Sequence, residues 1–438
     1  MPGSNAHGDF LSRLKKKKFT AAVIGLGYVG LPLAMEYTRA GIPVIGIDLD
    51  GEKIRMIRAG NSYIKDVSSA SVREAVRAGL FRVTSDFSAL AETDTVNICV
   101  PTPLNKTRDP DLSYVVNAAE QVAKYMHKDM LIVLESTTYP GTTEEVLAPI
   151  FEAKGWKVGR DIFLAFSPER VDPGNPRFTT RNIPKVVGGV TPGCTAVAAA
   201  LYTGVLEKVH PVSKARVAEM TKLLENTFRS VNIALVNEIA IMCDRMGIDV
   251  WEVIDAAKTK PFGFIPFYPG PGIGGHCIPL DPFYLSWKAK QFGFESRFIE
   301  LAGVINRQMP HFVVDKVVEA LNRFKKSVNG AKILILGVAY KKNISDVRES
   351  PALDIIQFLA NRGAELSYCD PYVPRLDEPG IRLKADKLTV TALKKADCAV
   401  VVTDHDLFNY GMILRESKIV VDTRNALKGR NGNKVIKL

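Results

Sequence analysis

The spacing of apolar and polar positions divides the chain into two strand-rich segments that flank a helical middle. In the first segment, apolar runs of strand length alternate with amphipathic stretches, a pattern typical of a parallel sheet covered by helices. The predicted strands of this segment are residues 21–24, 44–48, 95–100, 131–135, 162–167 and 185–188. We therefore expect a doubly wound α/β domain in the N-terminal part of the chain.

The pattern changes at about residue 210. Residues 214–246 carry apolar side chains at three- and four-residue spacing without Gly or Pro, which predicts one long helix. A segment rich in Pro, Gly and aromatic residues follows at 260–282, and helical sequence continues through 283–324. Strand-like runs then return and indicate a second, smaller α/β domain. These runs are residues 332–336, 365–369, 398–403 and 418–422.

Together these patterns predict an α/β protein with two Rossmann-like, doubly wound domains joined by a long central helix. The expected divisions are a basic N-terminal extension at 1–18, an α/β domain at 19–209, a helical domain at 210–325 and a C-terminal α/β domain at 326–438. An apolar helix as long as the central one needs covering, so we expect a homodimer or a higher homo-oligomer built across it.

The composition is that of a globular enzyme, with 46% apolar and 24% charged residues. No apolar run approaches the roughly 20 residues that span a bilayer. The first ten residues lack the features of a signal peptide, so a cytoplasmic location without membrane attachment is expected. The six cysteines are scattered singly, which favours free thiols and gives no support to a metal site.

The formal net charge of +11 raises the question of nucleic-acid binding. Four of these charges lie in the run Lys15 to Lys18, for which a solvated segment is the simplest interpretation. The chain has no arginine-rich helix, zinc-finger spacing or aromatic RNA-binding platform. We therefore expect a small anionic substrate and no nucleic-acid partner.

A GxGxxG pattern at Gly25, Gly27 and Gly30 connects the first predicted strand to a helix. The first glycine permits a tight turn, the second lets the backbone approach a pyrophosphate, and the third lets helix and strand pack closely. Asp48 stands at the end of the second predicted strand, where a carboxylate accepts hydrogen bonds from ribose hydroxyls and repels a 2′-phosphate. The combination predicts NAD as cofactor.

Four glycines within seven residues precede Cys277, at positions 270, 272, 274 and 275. Glycines permit backbone conformations closed to other residues and close approach to a ligand. Cys277 thus carries a thiol on a segment shaped for contact, and Asp281 follows four residues later. Because a lone His is more often packed than catalytic, His276 is not assigned a role.

At this point the sequence resembles the UDP-sugar 6-dehydrogenase family, which includes UDP-glucose and UDP-N-acetylhexosamine dehydrogenases. The likeness covers nearly the whole chain from Phe19 and consists of seven motifs in order. The motifs are GLGYVGLPLA from Gly25, VPTPL from Val100, ESTTYPGTT from Glu135, SPERVDPG from Ser167, KLLENTFRSVNIALVNE from Lys222, GGHCIPLD from Gly274 and GVAYKKNISDVRESPA from Gly337.

The resemblance implies roles for individual residues. Cys277 matches the nucleophile, and the other implied catalytic residues are Lys222, Asn226, Asp281, Thr137 and Glu169. The implied cofactor-binding residues are Gly25, Gly27, Tyr28, Val29, Gly30, Asp48, Lys53, Thr102, Thr137 and Arg348. The implied substrate-binding residues are Glu169, Arg170, Lys222, Asn226, Tyr268, Gly274, Lys341 and Arg424, with the UDP group held by the C-terminal domain.

The implied reaction oxidises C6 of the sugar twice at the expense of NAD and supplies a precursor for surface polysaccharide. A cysteine thiolate can capture the intermediate aldehyde, and oxidation of the adduct gives a thioester that water hydrolyses. A nearby ammonium favours the thiolate. Lys222 and Asn226 are i and i+4 on the predicted helix and therefore share a face, from which Lys222 could stabilise oxyanions at C6.

Departures from the UDP-glucose pattern favour UDP-N-acetylglucosamine as substrate. Leu280 stands where UDP-glucose enzymes usually have Lys, and the segment KPFGFIPFYPGPG from Lys260 resembles the N-acetylglucosamine enzymes. No Arg occurs between Arg245 and Arg297, so either Lys260 replaces the family's upstream arginine or other residues hold the phosphate. UDP-N-acetylmannosamine, UDP-glucose and GDP-mannose remain alternative substrates. An NAD-containing epimerase or a non-catalytic nucleotide-binding protein are alternatives of another class, and neither needs Cys277.

Overall fold

The computed structural model describes residues 4–438 except 104, 106–108, 172–174, 176, 276 and 430–433. His276 and parts of the motifs VPTPL and SPERVDPG therefore lie outside the described residues. The chain forms two compact units, and the boundary between them falls between Glu225 and Asn226. Across the described residues, no helix is both long enough and apolar enough to cross a membrane.

The N-terminal unit contains a sheet in which the described residues form eight strands in the order β3-β2-β1-β4-β5-β6-β7-β8. The strands are β1 Ala21–Ile24, β2 Val44–Ile47, β3 Phe81–Thr84, β4 Thr95–Ile98, β5 Leu131–Leu134, β6 Phe163–Phe166, β7 Lys185–Gly189 and β8 Val209–Pro211. The neighbouring strands are parallel except for the antiparallel pair β6 and β7. The predicted doubly wound sheet is confirmed, and β3 and β8 are additional to the prediction.

Helices connect these strands. They are α1 Ser4–Lys15, α2 Gly30–Arg39, α3 Gly51–Arg58, α4 Ser69–Arg77, α5 Ser113–Tyr125, α6 Ala148–Glu152 and α7 Pro192–Thr203. Short 3₁₀ and π-helical turns occupy Phe87–Glu92 and Thr143–Leu147. The predicted long helix is present as α8, Ala215–Met246, and the unit boundary lies within it.

The strands β1, β4 and β5 are buried on both faces, which explains the continuous apolar sequences of β1 and β5. On one face Val23 packs in a core with Leu31 and Val197, from α2 and α7. On the other face Ala22 packs in a core that contains Val122, from α5. Fully burying a side chain such as Val or Leu contributes about 1.5–3 kcal/mol, so these two cores fix the sheet and hence its loop-bearing edge.

The N-terminal extension begins with a helix that the sequence analysis did not predict. In α1, Phe10 and Leu14 are buried in the same core as β6, and the Phe10 ring stacks on Phe163 at a centroid distance of 5.8 Å. Arg13 pairs with Asp94 at 2.5 Å. The basic run that follows Leu14 is exposed, in keeping with a solvated segment.

The C-terminal unit contains a parallel five-stranded sheet in the order β10-β9-β13-β14-β15 and a separate hairpin, β11-β12. Its strands are β9 Lys332–Leu336, β10 Glu365–Cys369, β11 Arg375–Glu378, β12 Ile381–Lys384, β13 Cys398–Val401, β14 Val420–Asp422 and β15 Val435–Lys437. Its helices after α8 are α9 Val250–Ala257, α10 Asp281–Lys290, α11 Arg297–Asn322, α12 Pro351–Asn361, α13 Val390–Lys395 and α14 Tyr410–Glu416.

The sequence predicted β9 and β10 with their observed bounds, and continuous helical sequence at 283–324. The structure instead has two helices there, α10 and α11. Gly293 adopts φ +70° after α10, a left-handed conformation that ends a helix and that glycine adopts without strain. The helix α10 also begins earlier than predicted, at Asp281, with Pro282 in its first turn.

Candidate functional site

The glycines of the GxGxxG turn differ in what surrounds them. Gly25 has φ +89°, and a Cβ there would lie 2.6 Å from the Cys99 carbonyl oxygen. A Cβ on Gly30 would lie 1.9 Å from the Gly25 carbonyl oxygen, so α2 can start this close to the turn only with glycine. A Cβ on Gly27 would meet no atom within 4 Å. Gly25 and Gly30 thus build the turn, whereas Gly27 leaves open the space that a pyrophosphate requires.

Asp48 follows β2 and lies beside this turn. Its Oδ2 accepts a hydrogen bond from the Leu26 N–H at 2.8 Å, and Lys53 Nζ lies 3.4 Å from the same oxygen. Its Oδ1 accepts from the Asp50 N–H at 2.9 Å. The open space at Gly27, the start of α2 and this carboxylate fit the phosphate and ribose of NAD. The structure therefore brings together the residues predicted to bind this part of the cofactor.

Tyr63 was not singled out from the sequence, yet it contacts the same turn. Its hydroxyl donates to the Leu26 carbonyl oxygen at 2.5 Å. Burial raises the pKa of Tyr63, and the nearby carboxylates of Asp48 and Asp50 raise it further. Tyr63 therefore remains a neutral donor that closes one side of the turn.

Thr102 and Thr137 meet at the carboxyl ends of β4 and β5. The Thr102 Oγ1 donates to the Thr137 carbonyl oxygen at 2.8 Å. The adjacent Ser136 Oγ donates to the Val100 carbonyl oxygen at 2.7 Å, so the two loops are linked twice. In open α/β sheets, ligands bind at this edge.

Glu169 lies three residues beyond β6. Its Oε1 accepts from the N–H groups of Arg170 at 2.7 Å and Val171 at 2.8 Å. Arg170, predicted to bind substrate, donates to Glu225 Oε1 at 2.6 Å and to the Pro184 carbonyl oxygen at 2.7 Å. The Glu169 side chain is 14% exposed, so part of it reaches the solvent-accessible surface.

Lys222 lies on α8 and is 7% exposed. Among the described residues its ammonium group has no hydrogen-bond or ion-pair partner. A cation on a largely buried side chain is suited to pair with a charged group of a ligand.

Glu219 lies one turn before Lys222 and was not identified from the sequence. Its buried carboxylate accepts from the Gly141 N–H at 2.5 Å and from the N–H and hydroxyl of Thr143 at 2.9 and 2.7 Å. Burial raises the pKa of Glu219 to about 7 in spite of these hydrogen bonds. Glu219 thereby ties the turn after Thr137 to α8.

In the C-terminal unit, the glycines before Cys277 pack closely against other parts of that unit. A Cβ on Gly274 or Gly275 would lie 2.5 or 2.9 Å from the Tyr340 side chain. A Cβ on Gly270 would lie 2.5 Å from an Arg424 guanidinium nitrogen. The Gly275 N–H donates to the Arg348 carbonyl oxygen at 3.0 Å. These glycines therefore bring the cysteine loop against the segments that carry Lys341, Arg348 and Arg424.

Cys277 is exposed, whereas the other five cysteines are buried or half-buried free thiols. Its carbonyl oxygen accepts from the Asp281 N–H at 2.8 Å, and α10 begins at that residue. Asp281 is 3% exposed, and its Oδ2 accepts from the amide nitrogen of Asn226. Arg229 in turn donates to Asn226 Oδ1. The structure thus brings Asn226 to Asp281, and the Asn226 amide is held from both ends.

Tyr268 and Arg424, two further residues of this unit predicted to bind substrate, are held by neighbouring residues. Tyr268 stacks on Trp251 at 5.8 Å, and its hydroxyl donates to Asp255 Oδ1 at 2.8 Å. Arg424 Nε donates to the Val402 carbonyl oxygen at 3.0 Å. Burial lowers the pKa of Arg424, although two nearby aspartates oppose this effect.

Three segments of the chain match the three domains of one known enzyme family. Residues 19–206 match the NAD binding domain of the UDP-glucose/GDP-mannose dehydrogenase family, 216–308 its central domain and 334–429 its UDP binding domain. The UDP-N-acetyl-D-glucosamine 6-dehydrogenase of Pseudomonas aeruginosa is 37% identical over 82% of this chain and 85% of its own length.

Solved structures of similar proteins cover nearly all of the chain. The UDP-D-ManNAc dehydrogenase of Pyrococcus horikoshii has a TM-score of 0.88 at 35% identity, over 95% of this chain and 98% of its own. The UDP-N-acetyl-mannosamine dehydrogenase of Staphylococcus aureus has a TM-score of 0.82 at 31% identity, over 95% and 97%. The chain therefore belongs to the UDP-glucose/GDP-mannose dehydrogenase family and is an NAD-dependent oxidoreductase.

Proposed function

We propose that this UDP-sugar dehydrogenase oxidises C6 of a UDP-N-acetylhexosamine, most readily UDP-N-acetylglucosamine, to the carboxylate through a thioester on Cys277. The main support for this proposal is that Cys277 is exposed at the end of a glycine-rich loop. Four residues later, the carboxylate of Asp281 is held by a hydrogen bond from Asn226. Five other thiols are withdrawn from solvent. An exposed thiol beside fixed polar groups is suited to nucleophilic attack.

The reaction consumes one alcohol, two NAD⁺ and one water, and it yields one carboxylate, two NADH and three protons. Bound NAD supplies the acceptor for the hydride that each oxidation removes from C6. The Cys277 sulfur adds to the aldehyde carbon, and the carbonyl oxygen takes up a proton to give the thiohemiacetal. After the second oxidation, water adds to the thioester carbon, the carbon–sulfur bond breaks and Cys277 is released.

Each proposed catalytic side chain has a role suited to its surroundings. Lys222, buried and without a described partner, neutralises the oxyanions that develop at C6. Asn226 orients Asp281. The ordering of water is the role proposed for Asp281 and for Thr137. Glu169, with one oxygen held by backbone N–H groups, accepts the proton of the water that attacks the thioester.

The proposed domains divide the binding of the two ligands. Residues 19–209 hold NAD through Gly25, Gly27, Gly30 and Asp48, aided by Tyr28, Val29, Lys53 and Thr102. Residues 326–438 hold the UDP group through Lys341 and Arg424, while Arg348 closes over the cofactor. Residues 210–325 carry the cysteine loop, in which Gly274 and Tyr268 face the substrate.

The choice of sugar follows from the cysteine loop and from the similar proteins. Leu280 makes the cysteine loop less polar than a lysine would, which is compatible with an acetamido group. The relatives that act on UDP-N-acetylmannosamine make the C2 epimer the second candidate. UDP-glucose, which lacks the acetamido group, is a weaker candidate because Leu280 departs from the usual lysine.

A homodimer is proposed to form across α8. Phe228, Leu235 and Met242 on α8 are 45%, 52% and 48% exposed, and Phe298 and Leu301 on α11 are 78% and 54% exposed. Residues of both helices line a cleft of about 510 Å³. Large exposed apolar patches are typical of interfaces. Light scattering of the purified protein tests this proposal, and a monomer at micromolar concentration contradicts it.

The deciding experiment measures NADH formed per sugar consumed for UDP-N-acetylglucosamine, UDP-N-acetylmannosamine and UDP-glucose in parallel. Two NADH per molecule of one acetamido sugar supports both the four-electron reaction and the branch. The variant Cys277→Ser should bind both ligands but lose turnover to the acid, because a hydroxyl is a weaker nucleophile. Wild-type turnover in that variant refutes the thioester, and absence of NADH with every sugar favours an epimerase or a binding protein.

A further inference from the structure

A chain of buried polar side chains in the N-terminal unit leads to Glu169. Lys185, the first residue of β7, lies between two carboxylates: its Nζ is 2.5 Å from Glu135 Oε2 and 3.5 Å from Glu169 Oε2. The side chains of Lys185 and Glu135 are 4% and 0% exposed. The buried ammonium of Lys185 thus lies beside two carboxylates, and one of them, Glu169, is the proposed base for hydrolysis of the thioester.

The other oxygen of each carboxylate is already held. Glu135 Oε1 accepts from Asn97 Nδ2 at 3.0 Å and from the Tyr202 hydroxyl. Glu169 Oε1 accepts the two backbone N–H groups described above. The Oε2 atom of Glu169 is therefore the oxygen with freedom to meet water, and Lys185 is the cation next to it.

Charge explains why this lysine matters beyond packing. Burial alone lowers the pKa of Lys185, but Glu135 and Glu169 raise it above its ordinary value, so the ammonium stays charged. Without it, two carboxylates would face each other in a poorly solvated site, where both cannot readily ionise. Within the part of the chain that the structure describes, the other titratable groups facing the cluster are the Cys99 thiol and the phenols of Tyr37 and Tyr202, and Arg170 beside it is paired with Glu225.

We propose that Lys185 is a positioning residue for Glu169: its ammonium lies between Glu169 Oε2 and the carboxylate of Glu135 and offsets their negative charge, so that Glu169 takes the proton of the hydrolytic water. The inference rests on the proposed function, in which Glu169 serves thioester hydrolysis. The water oxygen bonds to the thioester carbon as its proton passes to Glu169, and the Cys277 sulfur leaves as thiolate. Lys185 itself exchanges no proton in this step.

The test is the pH–rate profile of NADH formation by Lys185→Met, with the mass of Cys277 peptides followed after rapid quench. Loss of the cation should move the acidic limb of the profile to higher pH. At pH 6.5 we expect turnover to fall by about tenfold or more and thioester to accumulate on Cys277, with recovery toward the wild-type rate at pH 9. Lys185→Arg keeps the charge and should restore the wild-type limb.

Two controls separate positioning from general loss of structure. Lys208→Met removes an exposed lysine next to β7 and should leave the limb unchanged. A structural role for Lys185 alone predicts equal loss of rate at every pH and no accumulated thioester, and this result overturns the proposal. If Lys185→Met does not fold, Glu135→Gln decides instead: removal of the competing carboxylate should move the limb to lower pH, and an unmoved limb overturns the proposal.

The variant Glu169→Gln distinguishes an error in the role of Lys185 from an error in the proposed role of Glu169 in thioester hydrolysis. This variant should form the thioester but hydrolyse it at least 100-fold more slowly, a loss in the range expected for removal of a general base. Wild-type hydrolysis in Glu169→Gln removes Glu169 from the mechanism. Blocked hydrolysis in Glu169→Gln with an unshifted limb in Lys185→Met refutes only the role of Lys185.

Discussion

The turn after β1 in the N-terminal unit and the turn after β9 in the C-terminal unit share a glycine with positive φ and the same pattern of hydrogen bonds. In the first, Gly25 has φ +89° and its N–H donates to the Ile47 carbonyl oxygen at 2.8 Å. The next N–H, that of Leu26, donates to Asp48 Oδ2 at 2.8 Å. The carboxylate after the neighbouring strand thus caps the turn.

In the second, Gly337 has φ +83° and its N–H donates to the Cys369 carbonyl oxygen at 2.9 Å. The N–H of Val338 donates to Asp370 Oδ2 at 2.7 Å. A glycine after the first strand and an aspartate after the second therefore recur at equivalent places, in units of different sequence.

The two carboxylates differ in their remaining partners. Asp370 also accepts from the N–H groups of Ala339, Tyr372 and Val373 and faces His405 Nε2 at 3.0 Å, and it is buried. The helix after the first turn begins at Gly30, whereas α12 begins only at Pro351, after a long loop. An aspartate after the second strand is therefore a general device for capping the turn. We expect the carboxylate to bind a nucleotide at Asp48, where the helix starts at the turn and the carboxylate keeps acceptor capacity.

The largest expected effect comes from the glycine that distinguishes the first turn. Gly30→Ala places a Cβ against the Gly25 carbonyl oxygen, so we expect a loss of more than about 3 kcal/mol in the free energy of unfolding, with loss of NAD binding. Gly27→Ala is the matched control: the fold should survive, while NAD affinity falls about tenfold or more. Thermal unfolding and calorimetric titration measure both. Normal NAD affinity in Gly27→Ala contradicts the assignment of the open space to pyrophosphate.

We expect Asp370 to contribute mainly to the stability of the fold and Asp48 mainly to the binding of NAD. Asp370→Ala leaves four backbone N–H groups and His405 without their acceptor, so we expect a loss of about 3–5 kcal/mol and little direct effect on NAD affinity. Asp48→Ala should cost less stability but weaken the preference for NAD over NADP. Chemical denaturation and the ratio of the two cofactor affinities check this pair. An unchanged ratio in Asp48→Ala removes Asp48 from the ribose site.

The same comparison shows what the sequence predicts and what it leaves out. The strands β1 and β9 were predicted with their observed bounds because each is a short apolar run that ends at glycine. Asp48 was singled out because it stands at the end of the second predicted strand, after the GxGxxG fingerprint. Asp370 and His405 were not found, because their pairing joins residues 35 positions apart and only the folded sheet brings them together.

The candidate site divides in the same way. Cys277, Asp281 and Lys222 belong to contiguous motifs and were predicted. Lys185 and Glu135 are 50 residues apart, and neither lies in a pattern that names the other. A lysine that opens a buried strand is the one local signal for such a pair, since a buried charge requires a partner.

A smaller effect concerns pH. Burial tends to raise the pKa of Asp370, but hydrogen bonds from His405 and backbone N–H groups outweigh it and hold the pKa below its ordinary value. An acid with a lowered folded-state pKa stabilises the fold above its unfolded value, near pH 4, and this contribution is lost as pH falls through the folded value. The C-terminal unit should therefore lose stability below about pH 4. Asp370→Asn should show a weaker dependence on pH in this range when unfolding is followed by circular dichroism, and an equal dependence in both proteins argues against the role of Asp370.

The smallest expected effect comes from removing a hydroxyl group that donates to a carbonyl oxygen in each of the two turns. Tyr63 donates to the Leu26 oxygen at 2.5 Å, and Thr403 donates to the Ala339 oxygen at 2.6 Å. Tyr63→Phe and Thr403→Val should each cost about 1 kcal/mol, because each removes one hydrogen bond and leaves an acceptor behind. Only Tyr63→Phe should also weaken NAD binding, by a few-fold, since its turn is the one proposed to hold the cofactor. Equal losses of NAD affinity in the two variants would contradict the proposal that only the turn after β1 holds the cofactor.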